Sequence, residues 1–304
     1  MLKNLDDLKI AAKKATKKRM VVVFAHDEHV IEAVNLACEE GIIEPILIGF
    51  EDKIKELIKG LSFDSSLKII NEPDPVLATK IAMDLVNQGE VDIVMKGLID
   101  TKILLKGVVN KEYGIVNSSL LSHVGIVEYP TLDRVLFATD GAMNIEPTWE
   151  QKILIIEAAV SLAKSLGYSL PKVGIVSAVE KVNPKIASTV DAEKIVNYYK
   201  DKDIDFLIDG PFAVDNLVSM ESVKTKGINS KVAGVCDILL FPNLDGGNIF
   251  YKTSVFLANG KSAGLVMGAK VPIVLTSRAD TSEAKLNSIF LAVVNKDGLL
   301  TPSH

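Results

Sequence analysis

Short, nearly continuous apolar runs alternate with longer stretches of helical spacing along most of the chain, and that alternation leaves few folds open. Nine segments rich in Val, Ile and Leu read as strands: residues 20–25, 45–49, 91–95, 120–128, 135–139, 172–177, 205–209, 237–242 and 272–276. Most are apolar throughout, the pattern of strands that helices cover on both faces. Between them, residues 147–167, 184–200, 247–259 and 281–295 carry helical periodicity. Pro147 and Pro184 read as first-turn prolines and Gly167 as a C-terminal stop. The fold class is therefore α/β, with mostly parallel sheets and active groups expected at the carboxyl ends of strands.

At 304 residues the chain exceeds what one small core uses, so two domains or one large sheet are expected. The adjacent strand segments at 120–128 and 135–139, joined by residues 129–134, break the strict alternation just before the helix at Pro147. A crossover between domains is placed near residue 140. Neither a repeat, a low-complexity tract nor a flexible linker is visible, which suggests rigid lobes with a cleft between them.

The net charge is −5, and arginine occurs only at Arg19, Arg134 and Arg278. An acidic chain without a basic arm is a poor nucleic-acid binder, so no nucleic-acid partner is expected. An anionic ligand must then be held by local geometry: helix N-termini and single well-placed cations. The basic cluster Lys13, Lys14, Lys17, Lys18 and Arg19 reads as the end of an opening helix, and Asp133 can answer Arg134. Cys38 and Cys236 follow no metal or redox spacing and read as buried, reduced thiols. No apolar run approaches the ~18 residues of a membrane span, and no secretory signal is apparent, so a cytoplasmic location is expected.

Several motifs fail. No G-x-G-x-x-G follows a strand. Gly260-Lys261-Ser262 looks like the end of a phosphate loop, but Val255 stands where the first glycine belongs; Gly247 to Lys252-Thr253 lacks the glycine before its lysine. His26-Asp27-Glu28-His29 reads as a helix start with carboxylates favoured by the dipole, and no third metal ligand is evident, so no metal site is expected. His123 is open to two readings, a strand-end core histidine or a group facing the cleft.

Three segments join a strand end, a tight loop and a helix start, as a phosphate or carboxylate ligand requires. One is Phe241-Pro242-Asn243-Leu244-Asp245-Gly246-Gly247-Asn248-Ile249, whose paired glycines permit close approach to free N–H groups. Another is Thr276-Ser277-Arg278-Ala279-Asp280-Thr281, where an arginine after a buried strand needs an anionic partner: Asp280, Glu283 or a substrate phosphate. The last is Met95-Lys96-Gly97-Leu98-Ile99-Asp100-Thr101-Lys102.

With residues 137–148, which include Asp140-Gly141-Ala142-Met143-Asn144, and with Asp209-Gly210-Pro211-Phe212, Val232-Ala233-Gly234 and Tyr251-Lys252, these segments resemble the phosphate acetyl/butyryltransferase family over nearly the whole chain. Ser122-His123-Val124 and the segment at Thr276 look like the butyryl branch. The resemblance implies reversible acyl transfer between coenzyme A and inorganic phosphate, both substrates, with no tightly bound cofactor. It implies a fold similar to isocitrate and isopropylmalate dehydrogenases, with one domain of residues 1–140 plus 271–304, a second of 141–270 and the active site in the cleft. It further implies a homodimer or larger homo-oligomer and metabolic coupling to an acyl kinase.

Carried over by motif, Ser277 and Arg278 are implicated in catalysis and binding. Lys96, Gly97, Thr101, Asn144, Gly246, Gly247, Asn248 and Lys252 are the candidate substrate-binding residues. Ungapped counting sets Ala284 where the acetyl branch has an aspartate held to be its base, and Phe256 where it has an arginine. The base is therefore open between Asp280, Glu283 and His123. Arg278 is assigned to a bidentate phosphate fork and Ser277 to a hydrogen bond at the developing anion. Neither cysteine is placed as an activated nucleophile, so direct attack in a ternary complex is expected. The rivals are an NAD(P)-dependent dehydrogenase of similar fold and a non-catalytic coenzyme A or phosphate-binding protein.

Overall fold

The computed structural model describes residues 2–64 and 67–297 and divides into two compact units. The first unit is formed by Asp6–Leu121 with the chain from Ala263 through the last helix; the second is formed by Ser122–Ser262 with the residues ahead of Asp6. In chain order the elements begin with α1 (Leu5–Ala12), β1 (Lys18–Val23), α2 (Glu28–Glu39), β2 (Ile43–Gly49), α3 (Glu51–Leu57), β3 (Lys68–Asn71), α4 (Pro75–Asn87), β4 (Ile93–Lys96) and α5 (Thr101–Val108). The middle of the chain supplies β5 (Ser122–Glu128), β6 (Val135–Thr139), α6 (Trp149–Ser165), β7 (Lys172–Val176), α7 (Ala187–Tyr199), β8 (Leu207–Phe212), α8 (Val214–Val218), α9 (Met220–Lys226), β9 (Ile238–Leu240) and α10 (Leu244–Phe256). The return adds β10 (Lys261–Met267), β11 (Ile273–Val274) and α11 (Ser282–Asp297).

In the first unit the strands lie in the order β3-β2-β1-β4-β11-β10. All are parallel except β10, which runs against β11. The central strands are apolar because both faces are covered: Met20–Val23, Ile93–Met95, Ile273 and Val274 are buried. Each such side chain contributes about 1.5–3 kcal/mol on leaving water. Parallel strands bring their carboxyl ends to one edge, so the loops after β1, β4 and β11 are neighbours there. Gly97 shows how closely they fit: a Cβ at that position would lie 2.1 Å from the Phe24 carbonyl oxygen. The Gly97 and Leu98 N–H groups donate to Val23 and Phe24 at 2.9 and 2.7 Å. Helices start directly from this edge, with Asp27 capping α2 and Asp100 capping α5.

The second unit orders its strands β5-β6-β9-β7-β8, with β5 antiparallel to β6 and the rest parallel. Leu136, Ala138, Val176, Phe212, Leu217 and Leu239 share one core cluster. The long helix α6 opens on a capping box of Thr148 and Gln151. Gly167 follows it with φ +85°, as a C-terminal stop should.

Several details differ from the sequence pattern. Strands β3 and β10 had no counterpart in it: β3 is a four-residue edge strand, and β10 opens with Lys261 and Ser262 of the Gly260-Lys261-Ser262 fragment that resembles a phosphate loop. Pro147 precedes the Thr148 cap, and Pro184 lies ahead of α7, whose cap is Ile186. Helix α10 starts at Leu244 because Asn243 caps it, which puts Gly246 and Gly247 inside its first turn. Helix α1 stops at Ala12, so Lys18 and Arg19 belong to β1, where the Arg19 guanidinium forks onto Asp92 at 2.9 and 3.0 Å. Cys236 is buried and donates to the Ile238 carbonyl, whereas Cys38 is half-buried. His26 and His29 border the start of α2 as expected, and no metal-ligating cluster occurs among the described residues. No described helix is long and apolar enough to cross a membrane.

Candidate active site

In the first unit, the chain leaving β11 makes a tight turn from Ser277 to Asp280. The Asp280 N–H donates to the Ser277 carbonyl at 3.2 Å, and the Ser277 N–H donates to the Asp280 carboxylate at 2.7 Å. The Ala279 N–H donates to the Ser277 hydroxyl oxygen at 3.3 Å. A hydroxyl that already accepts has its hydrogen left to give, so Ser277 can serve as a donor. Arg278 and Ala279 form the exposed tip, while Asp280 is buried. Among the described residues no carboxylate forms an ion pair with Arg278. Its charge acts on another cation, Lys96.

Lys96 ends β4 and is only 5% exposed, its ammonium donating to the Gly97 carbonyl at 3.2 Å. Burial lowers its pKa, and the charges of Arg278 and Lys285 lower it further, against the opposing pull of Asp27 and Asp100. Lys285, on α11, is 2% exposed and also has its pKa lowered by burial, with Asp280 and Asp27 opposing. Three cations thus gather at one strand edge. Thr101 opens α5, and Glu283 stands exposed in the first turn of α11.

In the second unit the organising group is Asp140, 2% exposed, at the end of β6. One carboxylate oxygen accepts from the Ala142 and Met143 N–H groups at 2.8 and 3.1 Å; the other accepts from the Asn144 amide at 2.6 Å and the His123 N–H at 3.1 Å. The loop packs directly on the start of α10. A Cβ on Gly247 would lie 2.4 Å from the Asp140 carbonyl oxygen, and the Asn248 amide donates to the Gly141 carbonyl at 3.0 Å. Gly246 gives its N–H to the Asn243 cap at 3.0 Å. Asn144, Gly246, Gly247 and Asn248 therefore come together around one loop. Lys252 lies further along α10, its ammonium 5.4 Å and 5.6 Å from the rings of Tyr251 and Phe256.

Sequence reasoning passed over Lys285 and Asp140. Lys285 shares a helical stripe with the buried Ser288, Ile289 and Ala292, so a lysine on a core-facing row was the available signal. Asp140-Gly141-Ala142-Met143 has the form of an aspartate that bonds backbone N–H groups two and three residues on.

A parallel α/β unit that ends three strands beneath a cationic turn, with a second α/β unit carrying an aspartate-centred glycine loop, defines a class of chain, and comparison with known proteins gives its family. The profile described as phosphate acetyl/butaryl transferase matches residues 59–293, and the chain belongs to that family of phosphate acyltransferases. It is 40% identical to the phosphate butyryltransferase of Clostridium beijerinckii, over 97% of this chain and 98% of that one. It is 42% identical to the phosphate acetyltransferase of Thermotoga maritima, over 91% and 95%. Among solved structures, a branched-chain phosphotransacylase from Enterococcus faecalis superposes with a TM-score of 0.82 at 31% identity, covering 92% of this chain and 99% of that one. At the level of fold alone, 4-hydroxythreonine-4-phosphate dehydrogenase from Burkholderia phymatum matches with a TM-score of 0.53 at 14% identity, over 93% and 98%.

Proposed function

We propose that this chain transfers a short-chain acyl group, butyryl above others, reversibly between coenzyme A and inorganic phosphate. The observation that carries the reading is the turn after β11: an exposed Arg278 without a carboxylate ion pair among the described residues, beside the buried Lys96. Two neighbouring cations repel each other, and an anion placed between them relieves that repulsion. A guanidinium offers phosphate two parallel N–H bonds, and Lys96 adds a point charge. The reading further assigns substrate contacts to Gly97, Thr101, Asn144, Gly246, Gly247, Asn248 and Lys252.

In the forward direction a phosphate oxygen bonds to the thioester carbon, the carbon–sulfur bond breaks, and the phosphate proton passes to the departing thiolate. Ser277 donates its hydroxyl hydrogen to the developing anion. One of Asp280, Glu283 and His123 carries the proton, a contribution of about 10²–10⁴-fold. Both substrates bind before reaction, and no acyl-enzyme forms. The enzyme so described is a cytoplasmic homo-oligomer without a tightly bound cofactor, and an acyl kinase consumes its product.

Release of free thiol from butyryl-CoA on adding phosphate, without nicotinamide, metal or ATP, tests the reading. Coenzyme A binding without thiol release would leave a binding protein, and nicotinamide reduction would leave a dehydrogenase. Acetyl transfer is the second reading, supported by the 42% identity to the Thermotoga maritima acetyltransferase. One buried methylene is worth only about 0.8 kcal/mol, so competition between acetyl-, butyryl- and branched acyl-CoA decides between them.

A further inference from the structure

A lysine that is 2% exposed on the inner row of a helix has an unusual position to justify. An ammonium withdrawn from water is unfavourable by several kcal/mol unless it is paired and hydrogen-bonded, and a methionine or leucine would fill the same row at less cost. Lys285 instead spends its donors on one object. Its ammonium donates to the Asp280 carbonyl at 2.7 Å and to the Ser277 carbonyl at 3.1 Å, the two ends of the turn that carries Arg278. The Ser277 carbonyl thereby accepts from both Lys285 and the Asp280 N–H.

The bonds within the turn already close its ring: Asp280 N–H to Ser277, and Ser277 N–H to the Asp280 carboxylate. What they do not fix is the orientation of that ring relative to the helix beneath it. The Lys285 ammonium does so, because it grips both ends from α11, whose row of Ser288, Ile289 and Ala292 is seated in the core.

We propose that Lys285 is a positioning residue for acyl transfer, holding the Ser277–Asp280 turn so that the Ser277 hydroxyl and the Arg278 guanidinium are set before phosphate arrives. This rests on the function proposed above. It does not require Lys285 to touch substrate. A turn held in advance loses less freedom on binding, and a misplacement of about 1 Å at a reacting group lowers rate by about 10²-fold.

The test uses the full chain with Lys285→Met, Lys285→Gln and Lys285→Arg, and reads phosphate binding by calorimetry, kcat, and KM for phosphate and acyl-CoA separately. Lys285→Met is expected to bind phosphate about tenfold or more weakly and to lose about 10²-fold in kcat/KM for phosphate, with KM for acyl-CoA nearly unchanged and the folded state at least as stable. Lys285→Arg and Lys285→Gln, which keep donors, are expected to recover part of that loss. A folded Lys285→Met with phosphate binding and kcat within about twofold of the parent overturns the proposal. So does a series in which none of the three folds, since Lys285 would then serve the fold itself. A parent that binds phosphate but releases no thiol defeats the proposed function instead, and the calorimetric comparison still reads the role of Lys285.

Discussion

The carboxylate of Asp280 accepts the backbone N–H of Ser277 at 2.7 Å, so a candidate proton carrier is also the clasp of the turn that presents Arg278. The two roles separate by substitution. Asp280→Asn keeps an oxygen acceptor for the N–H, whereas Asp280→Ala leaves the Ser277 N–H without its partner. Asp280→Ala is expected to raise KM for phosphate about tenfold, at a stability loss of about 1–3 kcal/mol for the unpaired donor. Asp280→Asn is expected to leave that KM within a few-fold. If its kcat nonetheless falls with KM unchanged, Asp280 is the base; if kcat holds, the proton passes through Glu283 or His123. Steady-state kinetics on the pair checks this.

Arg278→Lys is expected to lose about 10²-fold or more in kcat/KM for phosphate, because an ammonium cannot reproduce the two parallel N–H bonds of the fork. Its melting temperature should match the parent's, since Arg278 is exposed and has no intraprotein ion pair among the described residues. Turnover near that of the parent would remove Arg278 from the phosphate site.

Burial, reinforced by Arg278 and Lys285, lowers the Lys96 pKa from 10.5. Phosphate is attracted to the protonated form, so loss of the Lys96 proton raises its dissociation constant. It should rise on the alkaline side, beginning below the usual lysine range. Lys96→Met should weaken this alkaline limb, and calorimetry across pH reads it. The stability effect has the same origin. Between the lowered folded value and 10.5 the unfolded chain binds more protons, so folding stability contributed by Lys96 rises with pH through that window. Lys96→Met should lack that rise, and an unchanged limb in this variant would count against Lys96 as a phosphate ligand.

Asp140 satisfies three backbone N–H groups and the Asn144 amide from a buried position. Asp140→Ala strands those donors and should destabilise the chain by about 3 kcal/mol or more, read as a fall of several degrees in melting temperature. Asn144→Ala removes a single donor and should lower it far less. Equal effects would mean that the Asn144 contact carries the loop.

The class of fold was readable because parallel, doubly covered strands need uninterrupted apolar runs, and Met20–Val23 or Val135–Thr139 can hardly be anything else. What escaped was decided by neighbours distant in sequence. Strand β3 holds only because it pairs with β2, and Lys18–Arg19 become strand through pairing with β2 and the Asp92 fork. The strand-end segments at Lys96, Asn243 and Ser277 were legible as turns feeding helices. Lys285 was not, because its burial follows from where α11 packs and a lone lysine on a helix ordinarily reads as solvated. The stripe it shares with Ile289 and Ala292 was visible, but without tertiary contacts a lysine in such a row reads as an interruption of the pattern.

Strand β11, from which the Ser277–Asp280 turn emerges, slots between β4 and β10, with Ile273 paired to Val94. Ser122–Ser262 of the second unit lie between β4 and β11 in the chain. During synthesis the first unit therefore waits as an unfinished sheet, the edge of β4 open, while the second unit is being made. Its cationic turn follows β1 through β10 in the chain, so a nascent chain cannot hold Arg278 at this strand edge before the second unit's long segment has been synthesised.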